Sequence, residues 1–279
     1  MQGKLNTIKN LAWALAIGVV LLALLLGLLF AAFSRYSGPL ERPQVQLGQL
    51  ASGEETYSAT APAEAVQTQI GQLITLEEGR DAGQAYIDSL TFLCDSATIG
   101  LRDYGVLTDG LATTQVWGTA SGSLPDAELG DFLIRYPGDG SEISPADAAM
   151  ITKPAILVIS VGQDGLMDVD RNTFIANYDT LIRFIRQTSP GTIIVCCSIT
   201  SVGPDYRGPD GLTTDAISWA NDWVQQVCMD TGAYFCDVAH DMRNSTNVLD
   251  SSYASANNKT LNSAGLNAWL GYLRTHPVK

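Results

Sequence analysis

Residues 155–161 read AILVISV and residues 192–199 read TIIVCCSI, two uninterrupted apolar runs rich in β-branched side chains. Apolar runs of this length without alternation are typical of strands that are buried on both faces of a parallel sheet. Shorter apolar strands are predicted at residues 90–93 (LTFL), 114–117 (TQVW) and 233–238 (AYFCDV). Together the five runs predict a five-stranded sheet.

Helical patterns separate these strands. Apolar residues recur at helical spacing in residues 172–187, 215–230 and 263–275, so each segment has one apolar face. Ser144 and Pro145 fit the N-cap and the first position of a further helix. The alternation of strands and helices predicts an α/β fold, a flavodoxin-like three-layer sandwich with helices on both faces of a parallel sheet. Ligands of such folds bind beyond the carboxyl ends of the strands.

The N-terminal part of the chain predicts a membrane anchor. Residues 11–33 carry no charge, and at about 1.5 Å per residue they are long enough to cross a hydrocarbon core of roughly 30 Å. A cleaved signal peptide is the alternative, but it needs a shorter apolar core and a small-residue cleavage site, which AAFSR at 31–35 does not supply. Lys4 and Lys9 precede the helix and favour a cytoplasmic N-terminus. We therefore predict a single-pass plasma-membrane protein with residues 1–10 as a cytoplasmic tail and an extracellular C-terminal domain.

Composition predicts where the linker ends and excludes one class of binding partner. Residues 34–80 are rich in small and polar residues and predict a stalk or linker, which leaves 81–279 as one domain. The chain has 16 basic and 29 acidic residues, and the formal net charge is −13. Such a surface repels phosphate backbones, so we predict no nucleic-acid partner. Solubility alone also explains the acidity.

The cysteines and acidic residues predict no metal site and no cofactor. The chain has five cysteines, an odd number, and none has a zinc-binding spacing. Small buried apolar residues are the favoured interpretation of these cysteines. Four aspartates follow the first and third predicted strands. They suggest either a pocket for a hard cation or, as we prefer, a solvated acidic loop: Asp95, Asp164, Asp168 and Asp170.

Three blocks at the carboxyl edge resemble the SGNH/GDSL hydrolase family. Residues 92–101 (FLCDSATIGL) resemble its GDSxxxG nucleophile block, with Cys94 in place of the first glycine. Residues 162–165 (GQDG) stand at the place of its GxND block, and residues 253–270 are similar to its closing segment, where an Asp-x-x-His pair precedes Leu-Asn, a glycine and an aromatic residue. The blocks occur in order over residues 84–276. The resemblance implies a serine-ester hydrolase fold.

The same resemblance implies a damaged catalytic site. It places Ser96 at the nucleophile, Gly118 at the oxyanion glycine, Asp164 at the oxyanion asparagine, Asn257 at the aspartate and Thr260 at the histidine. Loss of one oxyanion donor costs about 2.7–4 kcal/mol, and loss of the base costs about 10⁶ in rate. The serine hydroxyl is thus expected to have no proton acceptor beside it and to face a negative charge. Capping of the following helix is the other interpretation of the serine.

Further polar and aromatic residues are expected at the same sheet edge. His240 follows the fifth predicted strand and is a candidate surrogate base, although two strands should separate it from the serine and a surface histidine is the favoured interpretation. Trp117, Tyr206, Arg207 and Tyr253 are candidate ligand contacts, and each is equally well explained by packing.

Three functions remain open from the sequence. The first is a catalytically degenerate domain that binds or scaffolds a cell-envelope ligand such as a glycan. The second is an active serine esterase or O-acetylesterase with a rearranged site that uses Ser96 and His240. The third is a structural envelope subunit that only presents a surface.

Overall fold

A computed structural model describes residues 74–124, 129 and 132–279. The predicted tail at 1–10, the predicted membrane helix at 11–33 and the predicted linker up to residue 73 lie outside the described residues. Within the described ranges, no helix is both long enough and apolar enough to cross a membrane.

The described residues form an α/β domain. Its strands are β1 (Leu90–Cys94), β2 (Val116–Trp117), β3 (Ile134–Arg135), β4 (Glu142–Ile143), β5 (Ile156–Ser160), β6 (Ile193–Cys197) and β7 (Tyr234–Cys236). Its helices are α1 (Gln84–Asp88), α2 (Gly100–Asp103), α3 (Pro145–Thr152), α4 (Arg171–Thr188), α5 (Thr214–Thr231) and α6 (Ser263–Thr275).

Five of the strands form the predicted parallel sheet, in the order β2-β1-β5-β6-β7. The sequence prediction of an α/β fold with a five-stranded parallel sheet is therefore confirmed. The strand order reverses at β1, since β2 lies on one side of it and β5 on the other. Such a switch point leaves a crevice at the carboxyl ends of the strands. Strands β3 and β4 form a separate antiparallel hairpin that the sequence analysis did not predict.

Two apolar cores hold the layers together, one on each face of the sheet. Helices α3, α4 and α5 cover one face, where Phe174 and Tyr178 of α4 are buried. Helices α1, α2 and α6 cover the other, where Trp269 of α6 packs on Phe92 of β1 with ring centroids 5.9 Å apart. Because both faces are covered, every residue of β1 is buried.

The N-terminal ends of the helices follow the capping signals in the sequence. The hydroxyl of Ser144 accepts the N–H of Asp147 at 3.1 Å, and Pro145 begins α3, as predicted. The carboxylate of Asp170 accepts the N–H of Thr173 at 2.8 Å and caps α4. Asp170 thus has a structural role at a helix terminus, where an acidic side chain is favourable.

The domain begins earlier than the predicted boundary at residue 81. The N–H of Leu76 donates to the carbonyl of Phe235 in β7 at 2.8 Å, and Leu76 is buried. The N–H of Gly79 donates to the carbonyl of Thr275 at 2.6 Å. These backbone bonds attach residues 76–79 to the sheet edge and to the end of α6, so they are not part of a free linker.

Candidate functional site

The loops after β1 and β5 meet at the switch point. The two strands are in register, with Cys94 opposite Ser160, and the N–H of Asp95 donates to the carbonyl of Ser160 at 3.1 Å. Ser96 comes directly after Asp95, and Asp164 lies four residues beyond the end of β5. Parallel pairing therefore delivers a serine and a carboxylate to the same point from residues 68 apart in the chain.

Asp95 fixes the relative position of the two loops. Its carboxylate is buried and accepts the N–H groups of Ala97 at 3.0 Å, Gly162 at 2.9 Å and Gln163 at 2.9 Å. Burial, followed by the negative charge of Asp164, raises the pKa of Asp95 to about 7, although the N–H groups act in the opposite direction. The side chain stabilises the turn that presents Ser96.

Asp164 is the centre of the site. It is 4% exposed, and its Oδ1 accepts the hydroxyl of Ser96 at 2.5 Å while its Oδ2 accepts the N–H of Ser96 at 3.1 Å. The Oδ2 atom also accepts the hydroxyl of Ser123 at 3.2 Å and the N–H of Leu124 at 3.0 Å. The ammonium of Lys259 donates to Oδ1 at 3.1 Å. One carboxylate therefore accepts five hydrogen bonds.

This geometry corrects one expectation about Ser96. The sequence predicted a hydroxyl without a proton acceptor, but the carboxylate of Asp164 accepts its hydrogen bond. The reason is that the loop after β5 turns back over the end of β1, which a strand-by-strand interpretation of the sequence does not reveal.

Lys259 was not among the site residues predicted from the sequence. Its Nζ bridges the carboxylates of Asp164, at 3.1 Å, and Asp210, at 3.0 Å. Burial alone would lower the pKa of Lys259, but the two carboxylates outweigh burial and raise it, so the ammonium stays charged. The available signal was a single cation beside the expected histidine position, in a segment without another basic residue.

Asn257 and Thr260 lie next to each other, as the family positions require, but they form a turn. The side-chain oxygen of Asn257 accepts the N–H groups of Lys259 at 2.8 Å and Thr260 at 3.0 Å. The hydroxyl of Thr260 lies 2.7 Å from that of Ser255. Neither side chain can take a proton from a serine, because an amide and an aliphatic hydroxyl are not bases near neutral pH.

A cleft of about 190 Å³ opens beside the serine. It is rich in hydroxyl groups, and it also holds one aromatic ring and one exposed carboxylate. The side chains that supply these groups are Ser96, Ser121, Ser123, Thr260, Tyr104 and Asp103. The ring of Tyr104 is 49% exposed.

Gly118 packs against the end of β1. A Cβ atom there would lie 2.4 Å from Cδ1 of Ile99 and 3.3 Å from the carbonyl oxygen of Cys94. Gly122, with φ of +79°, lines the cleft, whereas Gly118 does not. Close packing therefore accounts for the glycine at 118, and its assignment as an oxyanion donor stays a prediction.

The four candidate ligand contacts lie outside the cleft. Trp117 is 1% exposed in the core on the α3–α5 side of the sheet, so the prediction that it contacts a ligand is wrong. The hydroxyl of Tyr206 donates to Asp210 at 2.6 Å, and Arg207 donates to the carbonyl of Tyr206. Tyr253 packs on the core beneath α6. The packing interpretation explains Trp117 and Tyr253.

His240 is remote from the serine. It begins the 3-10 turn His240–Met242 after β7, and strands β5 and β6 lie between β7 and β1. Its side chain is 75% exposed, and its Nδ1 lies 2.9 Å from the carboxylate of Asp241. Among the described hydrogen bonds, none links His240 to Ser96.

The acidic loop after β5 carries no metal cluster in the described part of the chain. There, no group of three or more histidine, cysteine, aspartate or glutamate side chains is placed to hold an ion. Asp164 is satisfied by its five donors, and Asp170 caps α4.

The fold and the serine at the switch point define a hydrolase-like α/β domain. The family model of the GDSL-like Lipase/Acylhydrolase family matches residues 88–274, which is most of the described chain. The chain belongs to this family, as its sequence blocks suggested.

Solved structures with similar chains come from several organisms. A protein from Streptococcus pneumonia provisionally called a platelet activating factor is 16% identical, with 76% of this chain and 90% of that chain covered and a TM-score of 0.47. The OSK domain of Drosophila Oskar is 11% identical, with 75% and 96% covered and a TM-score of 0.46. A family two carbohydrate esterase from Clostridium thermocellum in complex with cellohexaose is 16% identical, with 72% and 63% covered and a TM-score of 0.41. No curated protein matches the chain.

Proposed function

We propose that this chain is a non-hydrolytic member of the family that binds an uncharged glycan of the cell envelope. The observation that carries the proposal is that the hydroxyl and the N–H of Ser96 both donate to the carboxylate of Asp164. In an active enzyme of this type, the hydroxyl would donate to a base and the N–H would be free to stabilise an oxyanion.

The carboxylate of Asp164 opposes two requirements of ester hydrolysis, a base for the serine proton and a free donor for the oxyanion. It already accepts five hydrogen bonds, including one from an ammonium, and taking up the serine proton would weaken the ion pair with Lys259. A substrate oxyanion at the N–H of Ser96 would meet a negative charge where the mechanism needs a donor. Loss of the base costs about 10⁶ in rate, and loss of one oxyanion donor costs about 2.7–4 kcal/mol. Both contributions are lost together.

The chemistry of the cleft supports a sugar as the ligand. Serine and threonine hydroxyls donate to and accept from the hydroxyls of a polyol, and the exposed ring of Tyr104 offers a face for stacking. No basic side chain lines the cleft in the described residues, and Lys259, which pairs with Asp164 beside the serine, is already held by two carboxylates. An acidic ligand would therefore have no free counter-charge at this cleft, and a neutral one is favoured.

The place of action in this proposal follows from the N-terminal segment. Residues 11–33 would anchor the chain in the plasma membrane, with Lys4 and Lys9 on the cytoplasmic side, and the domain would then face the cell envelope. The negative formal charge supports a partner other than nucleic acid.

The catalytic half of the proposal is tested by turnover. The full chain, purified in detergent, should hydrolyse p-nitrophenyl acetate no faster than Ser96→Ala, and a fluorophosphonate probe should not label Ser96. Robust turnover that is lost in Ser96→Ala would show an active esterase instead. Loss of that turnover in His240→Ala would then assign the base.

The binding half is tested on a glycan array. The full chain should retain neutral oligosaccharides, and Tyr104→Ala should lose them, while Trp219→Ala, an exposed aromatic residue outside the cleft, should not. A chain that retains no glycan would favour the structural envelope subunit.

A further inference from the structure

The chain has five cysteines, and all of them are buried with free thiols in the described domain. Cys196 and Cys197 are neighbours in β6, and successive residues of a strand point to opposite faces of the sheet. Cys196 therefore joins Cys228 in the core on the α3–α5 side, and Cys197 joins Cys236 in the core on the α6 side. The sheet thus sorts four of the thiols into two pairs.

The first pair joins neighbouring strands. Cys197 and Cys236 are register partners on β6 and β7. Adjacent strands lie about 4.8 Å apart, which falls inside the Cα separation of roughly 4.4–6.8 Å found in disulfides. Both thiols are buried in the same core, and burial, followed by the neighbouring thiol of Cys236, raises the pKa of Cys197.

The second pair joins the sheet to a helix. Cys228 lies in the last turn of α5 and is fully buried in the same core as Cys196 of β6. The neighbouring thiol of Cys196, followed by burial, raises the pKa of Cys228 well above its usual value. The Sγ of Cys228 donates to the carbonyl of Tyr234 at 3.6 Å.

Cys94 is excluded from both pairs. It ends β1, and β5 lies between β1 and β6. The nearest thiol on its face, that of Cys197, is therefore two strand spacings away, or roughly 9–10 Å. This separation exceeds the limit of about 7 Å for a disulfide.

We propose that the domain acquires two disulfides, Cys196–Cys228 and Cys197–Cys236, when it folds in an oxidising compartment, with Cys94 left as the single thiol. The oxidant is a small-molecule or protein disulfide. A protein thiolate attacks that disulfide and expels one thiol, and the partner thiolate then attacks the mixed disulfide and expels the second. For each bond, two protein thiols lose two protons and two electrons, and one external disulfide becomes two thiols.

Bond formation has to precede burial. The thiolate is the reactive form, and burial raises the pKa of Cys197 well above its usual value. A domain that has folded with reduced thiols therefore resists the same oxidant. The redox state of the four cysteines is fixed at the time of folding.

The test is a count of thiols after refolding. The full chain is unfolded, refolded with a mixture of oxidised and reduced glutathione, and alkylated in denaturant, and intact mass gives the number of alkylated thiols. One thiol of the five should be alkylated. Refolding in reductant alone, or addition of oxidised glutathione after such refolding, should leave all five.

Two variants assign the pairs. Cys94→Ala should leave no alkylated thiol, and Cys228→Ala should leave two, those of Cys94 and Cys196. More than one alkylated thiol in the oxidatively refolded wild-type chain would overturn the proposal, as would any alkylated thiol in Cys94→Ala. Neither result bears on the proposed glycan site, because the cleft contains no cysteine.

Discussion

Replacement of Asp164 by asparagine removes the charge at the centre of the site and keeps the shape of the side chain. In the Asp164→Asn variant, an amide nitrogen at the position of Oδ2 would face the N–H groups of Ser96 and Leu124, from which it cannot accept a hydrogen bond. The nitrogen should therefore occupy the position of Oδ1. There it faces the hydroxyl of Ser96, which can rotate and accept, and the ammonium of Lys259, which cannot. The variant therefore loses the contact between Lys259 and residue 164.

The expected loss of unfolding free energy depends on the contacts that Lys259 retains in the variant. Breaking a buried ion pair costs about 3–5 kcal/mol, and a lost hydrogen bond to a charged group costs about 1.5–3 kcal/mol. Lys259 is 18% exposed and retains Asp210 at 3.0 Å, so we expect the lower range, about 2–3 kcal/mol of unfolding free energy. For a domain of this size, each kcal/mol shifts Tm by roughly 2–4 °C, which gives a fall of about 4–12 °C.

The assay is urea unfolding of the full chain, monitored by tryptophan fluorescence, alongside thermal unfolding. Asp210→Asn is the matched control, because Asp210 is more exposed, at 32%, and Lys259 then keeps its contact with the buried carboxylate of Asp164 at 3.1 Å. Its loss of stability should be smaller, at about 1 kcal/mol. An Asp164→Asn variant that is as stable as the wild-type chain would show that the five donors do not hold this carboxylate, and the account of the site would fail.

The remaining predictions concern latent chemistry, pH and packing. The triple variant Asp164→Asn/Asn257→Asp/Thr260→His restores the family residues and should hydrolyse p-nitrophenyl acetate slowly, in a way that depends on Ser96. A triple variant that folds but does not hydrolyse the ester would show that the loss of activity has another cause. The pKa of Asp95 is raised in the folded state, so its contribution to stability is present at low pH and is lost as pH rises from about 4 through about 7. The urea midpoint should therefore be lower at pH 8 than at pH 5, and a midpoint that rises over this range would contradict the assignment. Gly118→Ala should destabilise the domain by about 1–3 kcal/mol through overpacking against Ile99, and adding Ile99→Val should recover part of the loss in the same urea titration.

The sequence by itself determined the architecture. The unbroken apolar runs of β5 and β6, the helical stripe of α4 and the cap at Ser144 each act over short distances, so local patterning was enough to predict a parallel sheet covered on both faces. The order of the three family blocks then placed Ser96, Asp164, Asn257 and Thr260 at one edge, because parallel strands present their carboxyl ends together.

Only the tertiary structure decided what those residues do to one another. The contact between Ser96 and Asp164 depends on how the loop after β5 turns, and Asp95 sets that turn through backbone groups that carry no signature in the sequence. Lys259 reaches the site because the closing segment folds back across both acidic loops, so its two partners lie 95 and 49 residues away in the chain. Trp117 shows the opposite case: its place at the end of a predicted strand suggested a ligand contact, but its side chain is buried in an apolar core. Side-chain contacts between distant segments are set by packing in three dimensions, and periodicity along one strand or helix cannot specify them.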